Sequence, residues 1–139
     1  MRVEMFEYLP EYAHEIRKKV FIQEQGFQEE FDDIDKVATH FVVYDDSDKP
    51  IATCRVFWNA ERNSYLLGRL AVLKEFRGKN LGRTIMEAAE SYVQEMGGRE
   101  LQLHAQSRIT EFYSRLGYIP FGEEEEEQGC PHTWMKKKL

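Results

Sequence analysis

Cysteine is scarce in this chain: 139 residues hold two, Cys54 and Cys130, with no Cys-x-x-Cys. They make no disulfide framework, so reduced thiols are expected. Long apolar runs are missing as well, which excludes a membrane-spanning helix. Met1-Arg2-Val3-Glu4 leads into no signal-peptide core, and a cytoplasmic location is the expectation. Positive charge is not in excess. A net charge of −6 argues against nonspecific nucleic-acid or anionic-membrane binding and favours, weakly, a cationic or amine-bearing substrate. Repeats and linkers are absent, and the one low-complexity run, Glu123 to Glu127, reads as a solvated hairpin edge balanced by Lys136-Lys137-Lys138. With 42% hydrophobic residues the chain reads as one domain over residues 1–139, burying roughly two thirds of its unfolded surface.

What is present is organised around residues 66–93, LLGRLAVLKEFRGKNLGRTIMEAAESYV. Leu66 to Leu73 has the branched residues of a buried strand, and Ile85, Met86, Ala88, Ala89 and Val93 recur at helical spacing. Between them lies the loop Arg77-Gly78-Lys79-Asn80-Leu81-Gly82-Arg83. The first N–H groups of such a helix lack partners and carry the positive end of its dipole. Gly78 and Gly82 let backbone approach a ligand, and Arg77, Lys79 and Arg83 add charge, so the natural guest is a phosphate or pyrophosphate. The spacing is not that of a Walker loop: three residues separate the glycines, and Arg83-Thr84 follows where Lys-Ser/Thr is required.

Elsewhere, residues 2–7 alternate as a short strand and Glu11 to Ile22 is helical, starting after Pro10. Gln23 to Asp35 is acidic and reads as a solvated loop with one helical turn. Thr39 to Tyr44 and Ile51 to Trp58 form a hairpin about Asp45 to Pro50. Glu100 to Ala105 is a strand, Ser107 to Leu116 a helix, Tyr118 to Phe121 a short strand, Gly122 to Pro131 a loop, and His132 to Lys138 a closing strand. Periodicity alone gives an α/β or α+β layered domain.

Leu70-Ala71-Val72 followed by Arg77-Gly78-Lys79-Asn80-Leu81-Gly82 resembles the acetyl-coenzyme A signature of the GNAT superfamily of N-acetyltransferases, Arg/Gln-x-x-Gly-x-Gly/Ala, with Asn80 where the middle Gly is usual. Asn tolerates the left-handed backbone region better than most residues, which preserves the turn. Gln106 to Tyr118, QSRITEFYSRLGY, resembles the superfamily's later signature, Asn-x-x-Ala-x-x-Phe-Tyr-x-x-x-Gly-Phe, with Gln106 for Asn and Ile109 for the small residue. Further stretches resemble one small bacterial subgroup. The resemblance implies a mixed, mostly antiparallel sheet with helices on both faces, splayed between strands 4 and 5 where the pantetheine arm lies. It also implies acetyl-coenzyme A as cofactor and a small-molecule amine as substrate, with a homodimer as a family-level expectation.

Direct acyl transfer to an amine needs the amine neutral, the carbonyl polarised, the leaving thiolate protonated and the reactants in contact. The resemblance assigns carbonyl and pantetheine contacts to the backbone of Leu70, Ala71 and Val72 at a strand bulge, the pyrophosphate to residues 77–83, and a pantetheine contact to Gln106. Tyr113 falls on the signature tyrosine; an ordinary phenol near 10 can protonate a thiolate whose conjugate acid lies near about 8.5, so Tyr113 is the candidate acid. The base is open among Glu24, His132, His104 and His40, in that order except that His40 is unranked; the family places the Glu24 loop beside the acceptor pocket. For each histidine a structural role competes. Rival readings are an acyl-coenzyme A-binding domain without turnover and an enzyme acting on a protein amine. Asp32, Asp33 and Asp35 with His40 lack any metal-ligand spacing, so no metal is expected. Cys130 reads as an incidental thiol, and Trp58 and Trp134 as core or interface aromatics.

Overall fold

The computed structural model describes residues 1–28 and 31–139. Its strands are β1 (Arg2–Phe6), β2 (Thr39–Tyr44), β3 (Pro50–Asn59), β4 (Ser64–Val72), β5 (Glu100–Gln106), β6 (Ile119–Pro120), β7 (Glu125–Glu127) and β8 (Cys130–Lys138). Its α-helices are α1 (Glu11–Arg17), α2 (Leu81–Glu95) and α3 (Thr110–Arg115). Three expectations change. The first helix does not stop at Ile22 but continues past Arg17 as π-helical turns over Lys18–Glu24. The loop at residues 122–131 contains β7 and the start of β8, because the glutamate run pairs through its backbone and needs no apolar face. The acidic loop is not simply solvated: Asp33 is exposed, yet Asp35 is buried within a 3-10 turn, Asp33–Lys36. The expectation for Glu29 and Glu30 lies outside the described residues.

The sheet runs β1-β2-β3-β4-β5-β8-β6, with β7 against β8. Among the described residues only β4 and β5 are parallel, and they pair where Tyr65–Leu67 lie opposite Leu101–Leu103. Beyond that, β4 continues to Val72 and β5 to Gln106 without pairing to each other, so the sheet splays.

Strand alternation assigns the two faces. Phe41 and Val43 of β2 join a core with Cys54, Val56 and the buried stripe of α2, whereas Val42 and Tyr44 pack on Ala13 of α1. Helices therefore cover both sides. On the α1 side, Ile16, Val20 and Phe21 meet Ala71 and Leu73 across the end of β4. This apolar contact anchors the helix that roofs the splay.

Candidate active site

Four elements converge on the splay, and the first is a bulge in β4. Thr53 faces Ala71 and Arg55 faces Gly68, so β4 carries one residue more than β3 over this stretch. Arg69 takes up the excess in the left-handed region, with φ 56°. Such a bulge disrupts the ladder beside Leu70 and leaves backbone groups available at the cleft.

The second element is the loop into α2. Gly78 has φ 80°, and Asn80 caps the helix at φ 62°, ψ 22°. Asn80 thus adopts the left-handed turn, as expected of the residue that stands there. The first helical closure is Thr84 N–H to Asn80 O, at 3.1 Å, which leaves the N–H groups of Leu81, Gly82 and Arg83 without intrahelical acceptors. Arg77 differs from its expected role. Its Nη1 and Nη2 donate to the Glu24 carboxylate at 2.6 and 2.9 Å, and its Nε donates to Val72 O at 3.0 Å. Its nitrogens tie the end of the π-helical turns to the end of β4 instead of facing the loop. Lys79 lies over the Phe76 ring, and Arg83 reaches toward Glu87.

The third element is a cavity of about 300 Å³ on the α1 side of the splay. Leu70, Gln106, Tyr113, His104 and His132 all line it. Tyr113 is 5% exposed, and burial, aided by nearby Cys54, pushes its phenol well above the usual range. Its hydroxyl has no hydrogen-bond partner among the described residues, so it is held as a neutral donor. That corrects the reading of Tyr113 as an ordinary phenol.

His104 and His132 lie side by side, ring centroids 4.9 Å apart. His132 Nδ1 is 2.8 Å from Cys130 O, which requires Nδ1 to donate, and its Nε2 is 3.3 Å from Glu127. His104 stacks on Trp134 at 4.4 Å, and Arg62 covers that indole at 3.3 Å. Its Nε2 is buried with no hydrogen-bond partner among the described residues, 3.9 Å from Glu125. Burial first, then His132, hold the His104 pKa below the ordinary histidine value.

Glu24 is not with them. It lines an adjoining open cleft of about 750 Å³, which Gln106 shares. The hydrogen bond from Arg77 holds its carboxyl below the usual range. His40 does not line the cavity; it pairs across the sheet with Arg55, and its Nε2 is 2.9 Å from Asp35 O. Ala71 is buried, and Gln106 Nε2 donates to Gln25 Oε1 at 2.9 Å.

A fourth component escaped the sequence reading. Arg55 donates to Asp32 at 2.6 and 3.1 Å and to Asp35 at 2.9 Å, while Arg17 donates to Asp35 at 2.7 and 3.2 Å. Burial disfavours the Asp35 charge, but the two guanidiniums outweigh it and hold the pKa at about 2. Arg55 and Asp32 line the cavity, as do Phe57 and Trp134; Trp58, by contrast, is exposed and belongs to no core. One signal was legible: Arg55 is the only charged residue in the otherwise apolar strand Ile51 to Trp58. Among the described residues no group of three or more His, Cys, Asp or Glu side chains is placed to hold a metal ion, and no helix is long and apolar enough to cross a membrane.

The parallel pair that splays, the bulge on one side and the helix-capping loop below it define an acyltransferase architecture. The sequence profile of the acetyltransferase (GNAT) domain matches residues 8–139, and the chain belongs to that family. A Bacillus subtilis protein assigned as an acetyltransferase is 37% identical over 131 residues, 91% of this chain and 87% of the relative. A crystal structure assigned as an N-acetyltransferase from Lactobacillus plantarum superposes with a TM-score of 0.88 at 27% identity, covering 100% of this chain and 99% of the other. An aminoglycoside 6'-N-acetyltransferase complexed with coenzyme A shares the fold, with a TM-score of 0.75 at 16% identity, covering 99% and 97% of the two chains.

Proposed function

We propose that this acetyltransferase moves the acetyl group of acetyl-coenzyme A directly to the primary amine of a small molecule within a ternary complex. The observation that carries the reading is the single cavity that joins the β4 bulge to Tyr113 and the histidine pair. The residues present fit the cofactor. The α2 N-terminus offers N–H groups without intrahelical acceptors behind a left-handed Asn80, and the splay leaves a slot between β4 and β5. Residues 78–83 would hold the pyrophosphate, the backbone of Leu70, Ala71 and Val72 the arm and carbonyl, and Gln106 a further polar contact. When bound, acetyl-coenzyme A supplies the thioester carbonyl that the amine attacks.

The chain's own groups then have distinct tasks. Backbone donors at the bulge polarise the carbonyl where negative charge develops. His104 stands first as base: burial shifts its imidazole toward the neutral form, the residue lines the cavity, and its Nε2 has no hydrogen-bond partner among the described residues. His132 stands beside it, oriented by Cys130 O. Tyr113 is the group placed to deliver a proton to the departing thiolate; burial keeps the phenol protonated and also makes it a weaker acid, so its hydroxyl acts first as a hydrogen-bond donor to the developing thiolate. Glu24 moves from first-ranked base to a structural partner of Arg77. The small volume of the cavity, about 300 Å³, favours a small acceptor over a protein segment.

The test is calorimetric titration with acetyl-coenzyme A, with coenzyme A and ATP as comparators, followed by thiol release with an amine panel. Saturable binding of the acetylated cofactor with ATP silent, then amine-dependent thiol release, is expected. Binding without release from any amine would leave a coenzyme A-binding domain.

A further inference from the structure

We infer that the acceptor is a monoamine carried on a flat apolar body, such as an arylalkylamine, and not a polyamine or an aminosugar. This deepens, and rests on, the acetyl-transfer reading above. The acidic composition of residues 24–35 and 123–127 would suggest a polycation, but the carboxylates at the cavity are already committed. Among the described residues only Asp32 and Glu127 line it as acids. Asp32 is gripped by Arg55 through two hydrogen bonds and approached by Arg69 at 3.5 Å, and Glu127 faces His132 at 3.3 Å. Just outside, Glu125 accepts from Trp134 Nε1 at 2.8 Å, and Glu24 is spanned by Arg77.

A second ammonium group entering this space would lose its water and find Asp32 and Glu24 already sharing their charge with guanidiniums, which leaves Glu127, beside His132, as the one lining carboxylate among the described residues without an arginine partner. That desolvation is costly without a counter-ion. The walls offer apolar contact instead. Strand alternation brings Phe57 and Leu66 to the same face as Gly68, and Phe21, Phe27 and Ile34 close over them from the α1 side. Arg62 and His104 both stack on Trp134 and Arg55 lies 5.6 Å over Phe57, so Phe21, Phe27 and the other face of Phe57 are the phenyl surfaces left for an acceptor's flat body. The bare Gly68 keeps that floor open: a β-carbon there would find only Arg55 Nε within 4 Å, at 3.7 Å. At about 300 Å³, part of it needed for the thioester end, the cavity sits at the bottom of the roughly 300–1,000 Å³ range of ligand pockets. An apolar surrounding also favours the neutral amine that attack requires.

The experiment uses the full chain with Trp58→Phe, which leaves Trp134 as the only tryptophan. Thiol release and Trp134 emission are measured with 2-phenylethylamine, hexylamine, spermidine and kanamycin. Expected is kcat/KM for 2-phenylethylamine roughly tenfold or more above spermidine and kanamycin, a saturable emission change with the same amine, and a raised KM in Phe57→Ala. Turnover that favours spermidine or kanamycin overturns the inference while leaving acetyl transfer standing. Saturable emission changes with 2-phenylethylamine but not spermidine, without turnover of any amine, uphold the pocket's selectivity and defeat the enzymatic reading. Neither turnover nor an emission change with the aromatic amine overturns the inference.

Discussion

The ring of Phe112 in α3 lies 2.7 Å from the point that a β-carbon on Gly82 of α2 would occupy. The sequence reading gives Gly82 the task of admitting a phosphate to the backbone; the packing of two helices already requires its bare face. Gly82→Ala should cost about 1–3 kcal/mol through overpacking, and Phe112→Ala in the same chain should recover part of it. Urea denaturation of the parent, both single variants and the double variant reads the coupling. Strictly additive losses would show that this contact is not the cause.

Glu24→Gln separates two roles. A general base contributes about a hundredfold or more, so its loss would be conspicuous in kcat. Because Glu24 is held by Arg77 outside the cavity, kcat is expected to stay within about tenfold of the parent. A fall beyond a hundredfold with unchanged cofactor affinity would return Glu24 to the chemistry.

Asp35 ties stability to acid. Its folded pKa of about 2 lies below the unfolded value near 3.8, so the stabilisation is fully present above about pH 4 and is lost as pH falls through 2. The shift corresponds to roughly 2 kcal/mol. Asp35→Asn should destabilise at neutral pH by roughly 3–5 kcal/mol, because two buried guanidiniums lose a counter-charge, and should flatten this acid limb. Urea midpoints at pH 7, 4 and 3 decide it; parallel pH profiles for parent and variant would place the acid sensitivity elsewhere.

Tyr113→Phe removes a hydroxyl that has no hydrogen-bond partner among the described residues, so the melting temperature should stay the same or rise. Turnover should fall about a hundredfold with little change in cofactor affinity. Thiol release and calorimetry together make the measurement. Unchanged turnover would remove Tyr113 as the acid.

The pH–rate profile reports on His104. A base must be neutral to accept a proton, so rate is lost as pH falls through its pKa, and that limb should lie below the ordinary histidine value. His132, Glu125, Glu127 and Arg62 all act on the ring, and His104→Gln should lower the rate and abolish the limb. An unchanged acid limb in that variant would shift the role to His132.

Much of this was legible because it is local. The hairpin of β2 and β3, the stripe of α2 and the two signature stretches are patterns within a few residues, and Asn80 was readable from its own backbone tolerance. What escaped depends on residues far apart in sequence. Asp32 and Asp35 look solvated until Arg17, 18 positions before Asp35, and Arg55, 20 after it, fold onto them. Glu24 looks like a free base until Arg77 arrives from 53 positions away. The π-helical turns left no trace, since Lys18 to Glu24 has the same residue types that continue an α-helix.

The inserted residue at Arg69 does more than bend a strand. Before it, odd-numbered Leu67 enters the α2 core; after it, odd-numbered Ala71 and Leu73 pack with α1 while even-numbered Leu70 and Val72 pack against the α2 core, and residues 66–70 all border the cavity. The bulge acts as a parity switch, letting one strand serve the acceptor wall and then the seat of the overlying helix. Removing that single residue would exchange inside for outside along the last turn of β4, so strand continuity and cleft geometry are inherited as one unit.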